Sequence, residues 1–111
     1  MTQVYLALGT TDMRKSINTL AVIVEGKLRL NPFSGHMFAF CNRRRDIIKI
    51  LYWDRNGFCL WQKRLEKDRY PWPESEDEVI KLSRNELKWL IDGMEISLYR
   101  PHGTLTYASV I

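Results

Sequence analysis

Residues 36–65 read HMFAFC-NRRRD-IIKILYW-DRNG-FCLWQKRL, and this stretch decides the fold. Three runs rich in aromatic and β-branched residues are separated by two polar breaks, the pattern of consecutive strands. In the first run Phe38 and Phe40 fall on one face, and Met37, Ala39 and Cys41 on the other. The second run, 47–53, and the third, 58–65, flank Asp54-Arg55-Asn56-Gly57, whose Asn-Gly pair is a strong hairpin signal. The expectation is a three-stranded antiparallel meander. Both of its faces carry apolar side chains, so each needs at least partial cover, one of them by a helix.

Upstream, Val4-Tyr5-Leu6-Ala7-Leu8 reads as a short buried strand ended by Gly9. Thr10, Thr11 and Asp12 supply N-cap chemistry, and Met13, Ile17, Leu20, Ala21, Val24 and Leu28 form one apolar stripe. The spacing predicts a helix over 12–27, stopped before Asn31-Pro32. Downstream, Pro71-Trp72-Pro73 breaks regular structure and an acidic loop follows at 74–78. Val79-Ile80-Lys81-Leu82 reads as a brief strand. Ser83 with Glu86 has the capping-box spacing, and Leu87, Leu90, Ile91 and Met94 continue as a helical stripe. Ile96, Leu98 and Tyr99 are candidates for a last strand. Residues 101–111 read either as a tail or as an edge strand. The expected architecture is α+β: a mainly antiparallel sheet of four to five strands in the order β-α-β-β-β-(β)-α, packed with two helices, in a single domain over 1–100.

The chain has 111 residues, of which 45% are hydrophobic and 27% charged, which suits one globular unit and excludes intrinsic disorder. No apolar run approaches the ~18–20 residues of a membrane-spanning helix. The N-terminus lacks a signal peptide's basic flank and cleavage site, so a soluble cytoplasmic protein is expected. Cys41 and Cys59 read as reduced core thiols. A zinc site combining them with His36 and His102 has no closely spaced ligand pair to support it, and no metal or cofactor is expected.

The net charge of +4 is unevenly distributed. Residues 43–69 hold nine Lys/Arg against four acids, a net +5, which leaves −1 for the remainder. That is the footprint of a polyanion binder or, more plainly, of a solvated surface. Arg43, Arg44 and Arg45 sit in the first polar break, where their guanidinium forks suit phosphate oxygens or carboxylates. With Asn56-Gly57 as a two-residue loop, Arg55 lies across from Phe58 and Lys49 across from Arg64. Like charges so opposed are unfavourable unless an anion sits between them; a bulge, or side chains turned to solvent, is the alternative. Lys63 adds to the same block. Arg14 and Lys15 lie at the predicted helix start, where free N–H groups attract anions, although Asp12 can satisfy those donors itself. Of the four tryptophans, 53, 61 and 89 are core candidates, while Trp72, between two prolines, is a candidate for an exposed docking residue. No nucleophile elbow, Walker loop, zinc-protease or dinucleotide motif is present. Asp12, Asp46, Asp54 and Glu66 make an acidic metal cluster only on paper, so the chain is not expected to be an enzyme.

The motifs Thr11-Asp12-Met13-Arg14-Lys15, Ser34-Gly35-His36-Met37-Phe38-Ala39-Phe40, Asn42-Arg43-Arg44-Arg45-Asp46, Ile48-Lys49-Ile50-Leu51-Tyr52-Trp53-Asp54, 57–66 and Trp72-Pro73 occur in order. In these the chain resembles the small accessory proteins, often called TnpB, from the second open reading frame of insertion-sequence-66-type bacterial transposons. They are unrelated to the RNA-guided nuclease of the same name. The resemblance runs from about Val4 to about Met94 and departs at Ser16, where the family commonly has Gly. It implies a role in DNA transposition beside a separate, larger transposase, and brings no catalytic residues with it. The expectation is a non-catalytic accessory factor that binds DNA, such as the transposon ends, through Arg43, Arg44, Arg45, Lys49, Lys63 and Arg64, joined by Arg14 and Lys15. The alternative is a module that docks onto the transposase or another accessory protein through Trp72 and the acidic loop, without touching DNA.

Overall fold

The computed structural model describes residues 2–92. Seven elements follow one another: β1 (Val4–Ala7), α1 (Ile17–Gly26), β2 (Met37–Cys41), β3 (Ile47–Asp54), β4 (Gly57–Arg64), β5 (Val79–Leu82) and α2 (Arg84–Ile91). The strands form one sheet in the order β4-β3-β2-β1-β5. The meander β2-β3-β4 is antiparallel, β5 is antiparallel to β1, and β1 alone pairs in parallel, with β2. The fold is therefore α+β with a mostly antiparallel sheet. The expected strand at 96–99 and the tail at 101–111 lie outside the described residues.

Alternation along the strands makes two apolar faces, and each has a cover. Phe38, Phe40 and Leu51 pack with Leu20 and Val24 of α1. Ala39, Cys41, Ile48 and Ile50 pack with Leu87 and Leu90 of α2 and with Tyr70 and Trp72. α2 starts with the capping box read from the sequence, Ser83 and Glu86 each bonding the other's backbone N–H.

Three expectations need correction. First, α1 begins at Ile17 rather than at Asp12, with Ser16 as its N-cap. Asp12 uses its carboxylate on the Arg14 backbone N–H, 2.9 Å away, and Lys15 N–H closes a turn onto Asp12 O. That local turn competes successfully with the first helical turn.

Second, the β3–β4 turn lies one residue earlier than expected, which shifts the pairing register by two residues. Asp54 pairs with Gly57, so Arg55-Asn56 is the loop and Arg55 takes φ 52°. Lys49 faces Gln62, and Arg64 faces Ile47, so Lys49 and Arg64 are not directly opposed. A two-residue slip keeps every side chain on its face. It matches Leu51 with Leu60 and Trp53 with Phe58, where the expected register set Leu51 against Gln62 and lysine against arginine. These apolar pairs, with relief of like-charge contact, outweigh the roughly 1–2 kcal/mol of one left-handed residue.

Third, Trp72 is buried, at 6% exposure. The segment after β4 folds back on the sheet: Tyr70 N–H bonds Arg45 O, Tyr70 hydroxyl bonds Lys63 O, and Trp72 Nε1 donates to Ala7 O at 3.1 Å. The two prolines keep the segment extended, and that conformation lays the indole onto the α2 side of the sheet.

Candidate nucleic-acid interface

Parallel pairing of β1 with β2 sets the carboxyl ends of both strands at one end of the sheet. The β2–β3 turn and the last residues of β4 lie at that end too, since Ile47 pairs with Arg64. Three polar segments meet there: the β1–α1 loop, the turn at 42–46, and the chain after Arg64. Thr11 N–H bonds Cys41 O at 2.9 Å, and Arg45 Nη1 bonds Gly9 O at 3.0 Å. Leu65 N–H bonds Asp46 O at 2.8 Å, and Tyr70 N–H bonds Arg45 O at 2.7 Å. Segments distant in sequence thus share one hydrogen-bonded surface.

The turn owes its shape to Asn42 and Asp46. Asn42 Oδ1 accepts from the backbone N–H of Asp46 and Ile47, and its amide donates to Asp46 Oδ1 at 2.7 Å. Arg45 sits in the left-handed region at φ 64°. Arg43 and Arg44 are exposed at the tip. An open hollow of about 340 Å³ lies between residues 10–13 and 42–44. A smaller one of about 130 Å³ shares Thr10, Thr11 and Asp12 and adds Lys15 and Lys27.

The expected contact residues divide into three groups. Arg43 and Lys63 are exposed and make no ion pair among the described residues, and Lys15 is half-buried and also without one. Arg14, Arg44 and Arg64 each have a neighbouring acid: Asp12 at 2.6 Å, Asp46 at 3.7 Å and Glu66 at 3.1 Å. The hydrogen bonds from Arg14, through its side chain and then its backbone N–H, hold the Asp12 carboxyl far below the ordinary carboxylate range. Exposed pairs of this kind contribute about 0–1 kcal/mol, so a phosphate can compete for the arginines. Arg45 and Lys49 form the third group and are directed at carbonyls of the β1–α1 loop. Lys49 is 8% exposed, and its Nζ donates to Met13 O at 2.6 Å and Lys15 O at 3.3 Å.

The paper cluster of acids is not assembled. Asp54 lies at the far end of the sheet, and no three His, Cys, Asp or Glu side chains converge to hold a metal among the described residues. Cys41 is fully buried, and burial pushes its thiol up to about 11. No helix among the described residues is long and apolar enough to cross a membrane.

Thr10, Thr11 and Asn42 were not singled out as site residues from the sequence, although they line the larger hollow. The signal available was the order strand, helix, strand over residues 4–41, which suits a parallel crossover with its loops at the carboxyl ends.

Fold and site together define a small three-layer α+β protein whose arginine-bearing loops meet at one end of its sheet. The chain belongs to the IS66 Orf2-like protein family, whose model matches residues 2–101. It is accordingly a transposition-associated accessory protein of insertion-sequence-66-type elements, a family not known for an enzymatic activity. Among curated proteins it is similar to the uncharacterized protein y4hO of Sinorhizobium fredii, with 38% identity over 93 residues, 84% of this chain and 81% of that one. It is also similar to the uncharacterized protein y4jC of the same organism, with 29% identity over 93 residues, 84% of this chain and 80% of that one. No solved structure matches the chain.

Proposed function

We propose that the protein serves transposition by binding the DNA of its element, including the transposon ends, in the cytoplasm and beside the transposase. The observation that carries this reading is the convergence, at one end of the sheet, of the β1–α1 loop, the 42–46 turn and the end of β4. Arg43, Arg44, Lys63, Arg64, Arg14 and Lys15 would neutralise phosphates there, and the hollow between 10–13 and 42–44 would admit the backbone. No covalent step is assigned to any residue. α1 and α2 pack on opposite faces of the sheet, so they do not form a helix-turn-helix, and the expected contacts are with phosphates rather than base edges.

Fluorescence anisotropy of labelled duplexes over a salt series tests this. One duplex carries the terminal repeat and the other the same bases scrambled. Six phosphate contacts give a log–log slope of about −5.4 and a loss of about 1,000-fold between ~50 and ~200 mM salt. Arg43→Ala with Arg44→Ala removes two contacts and lowers the slope to about −3.6. Absence of binding at ~50 mM salt, or a slope unchanged by the double substitution, would refute the proposal.

A second reading has its own observation. Phe33, 56% exposed, stands at the opposite end of the sheet against Trp53 and Phe58, with ring centroids 5.1 and 5.2 Å away. If the chain docks onto the transposase instead, that aromatic group is a better candidate for the contact than the buried Trp72. Phe33→Ala would then abolish co-purification with the transposase while leaving DNA affinity as it was.

A further inference from the structure

A single backbone hydrogen bond, Thr11 N–H to Cys41 O, ties residues 9–15 to the β2–β3 hairpin among the described residues. Three carbonyls of that loop are met instead by cations from the hairpin. Arg45 Nη1 reaches Gly9 O, and Lys49 Nζ bridges Met13 O and Lys15 O. Both donors occupy costly positions. Arg45 stands at φ 64°, a place where glycine carries no steric penalty. Lys49 is buried near the start of β3 with no ion pair among the described residues, and backbone carbonyls take the place of much of its lost hydration. Neither charged side chain is needed to make a strand or a turn. Both are accounted for by what the side-chain ends hold.

From this we infer that Arg45 and Lys49 are positioning residues that clamp the β1–α1 loop to the β2–β3 hairpin, fixing Arg14 and Lys15 on the same surface as Arg43. The clamp itself follows from the hydrogen bonds; its use in binding rests on the DNA reading above. Lys49 is suited to the task because an ammonium offers three donors and can bridge two carbonyls. Two cations of the basic block thereby act as fasteners, and the arginine run is divided: Arg43 and Arg44 face solvent, and Arg45 is directed at the β1–α1 loop.

Hydrogen exchange of the backbone amides tests the clamp without DNA. Lys49→Met keeps the stem and removes the donors, and Arg45→Gly keeps the turn and removes the guanidinium. Each is expected to speed exchange at residues 10–16 by about tenfold or more, since charge-assisted bonds to the loop are lost. Exchange at Phe38 and Ile50 stays as in the wild type, and Lys49→Arg restores part of the protection. If Lys49→Met does not fold, Arg45→Gly carries the test, because glycine suits that φ. Unchanged exchange at 10–16 in the folded variants overturns the inference. DNA affinity supplies the second arm. Lys15→Ala weakens binding several-fold in the wild type and adds little in the Lys49→Met background, since the loop is already displaced. A Lys15→Ala effect of full size in that background also overturns the inference. If the wild type binds no DNA, the proposed function fails, and the exchange result alone judges the clamp.

Discussion

Replacing Trp72 by alanine removes an indole that is 6% exposed and packed among Leu8, Ala39 and the α2 leucines. Truncating a buried aromatic to alanine costs about 3–5 kcal/mol. The lost hydrogen bond from Nε1 to Ala7 O leaves that carbonyl short of a partner, a further cost of about 1 kcal/mol. A total of about 4–6 kcal/mol is a large share of the roughly 5–15 kcal/mol that stabilises a domain. With a urea m-value of about 1.5 kcal/mol/M, the unfolding midpoint drops by about 3–4 M. Trp72→Phe keeps most of the ring and loses the N–H, so it costs about 1–2 kcal/mol and moves the midpoint by about 1 M. Far-ultraviolet circular dichroism is the appropriate signal, because Trp53, Trp61 and Trp89 remain and would complicate fluorescence. A midpoint shift below ~0.5 M for Trp72→Ala would refute the burial argument, and a docking role for this residue would stand again.

Three further outcomes are expected. Asp12 stays ionised to lower pH than an ordinary carboxylate because of the Arg14 hydrogen bonds; its folded value is lowered, so the pair's small contribution is full above pH ~4 and is lost progressively as pH falls from there through the lowered value. A carboxylate carbon titration by NMR whose midpoint lies below that of Arg14→Ala checks this. Cys41, buried and with its thiol pushed up to about 11, resists iodoacetamide at pH ~8 in the folded protein while the half-buried Cys59 reacts first, as peptide mass mapping would show. Ser83→Ala removes one arm of the α2 capping box, whose bonds are 3.0 and 2.8 Å, and lowers stability by about 1 kcal/mol, read as a fall of about 4–8 °C in Tm.

The meander was legible because alternation over 36–65 is strong and an Asn-Gly pair stands between the last two strands. Face assignment survived the register error, since pairing slipped by two residues and the pleat repeats every two. The α1 start was misplaced because Thr10, Thr11, Asp12 and Ser16 all have capping side chains, and only the observed turn shows that Asp12 is used locally. For the basic block, charge was legible and direction was not. Arg43, Arg44 and Arg45 are identical in sequence, and the left-handed turn sends only the third to Gly9 O.

The sequence by itself determined the order of elements, the two apolar faces, the α2 cap and the concentration of positive charge. Each of these depends on residues close together along the chain, where periodicity and local hydrogen bonding govern. Tertiary structure alone decided that β1 lies between β2 and β5, that the 65–72 segment brings Trp72 onto the sheet, and that Lys49 is an internal donor to a loop 34 to 36 residues away. Those outcomes depend on which distant groups can exclude water together, and each buried donor takes the carbonyl that the packing brings within reach.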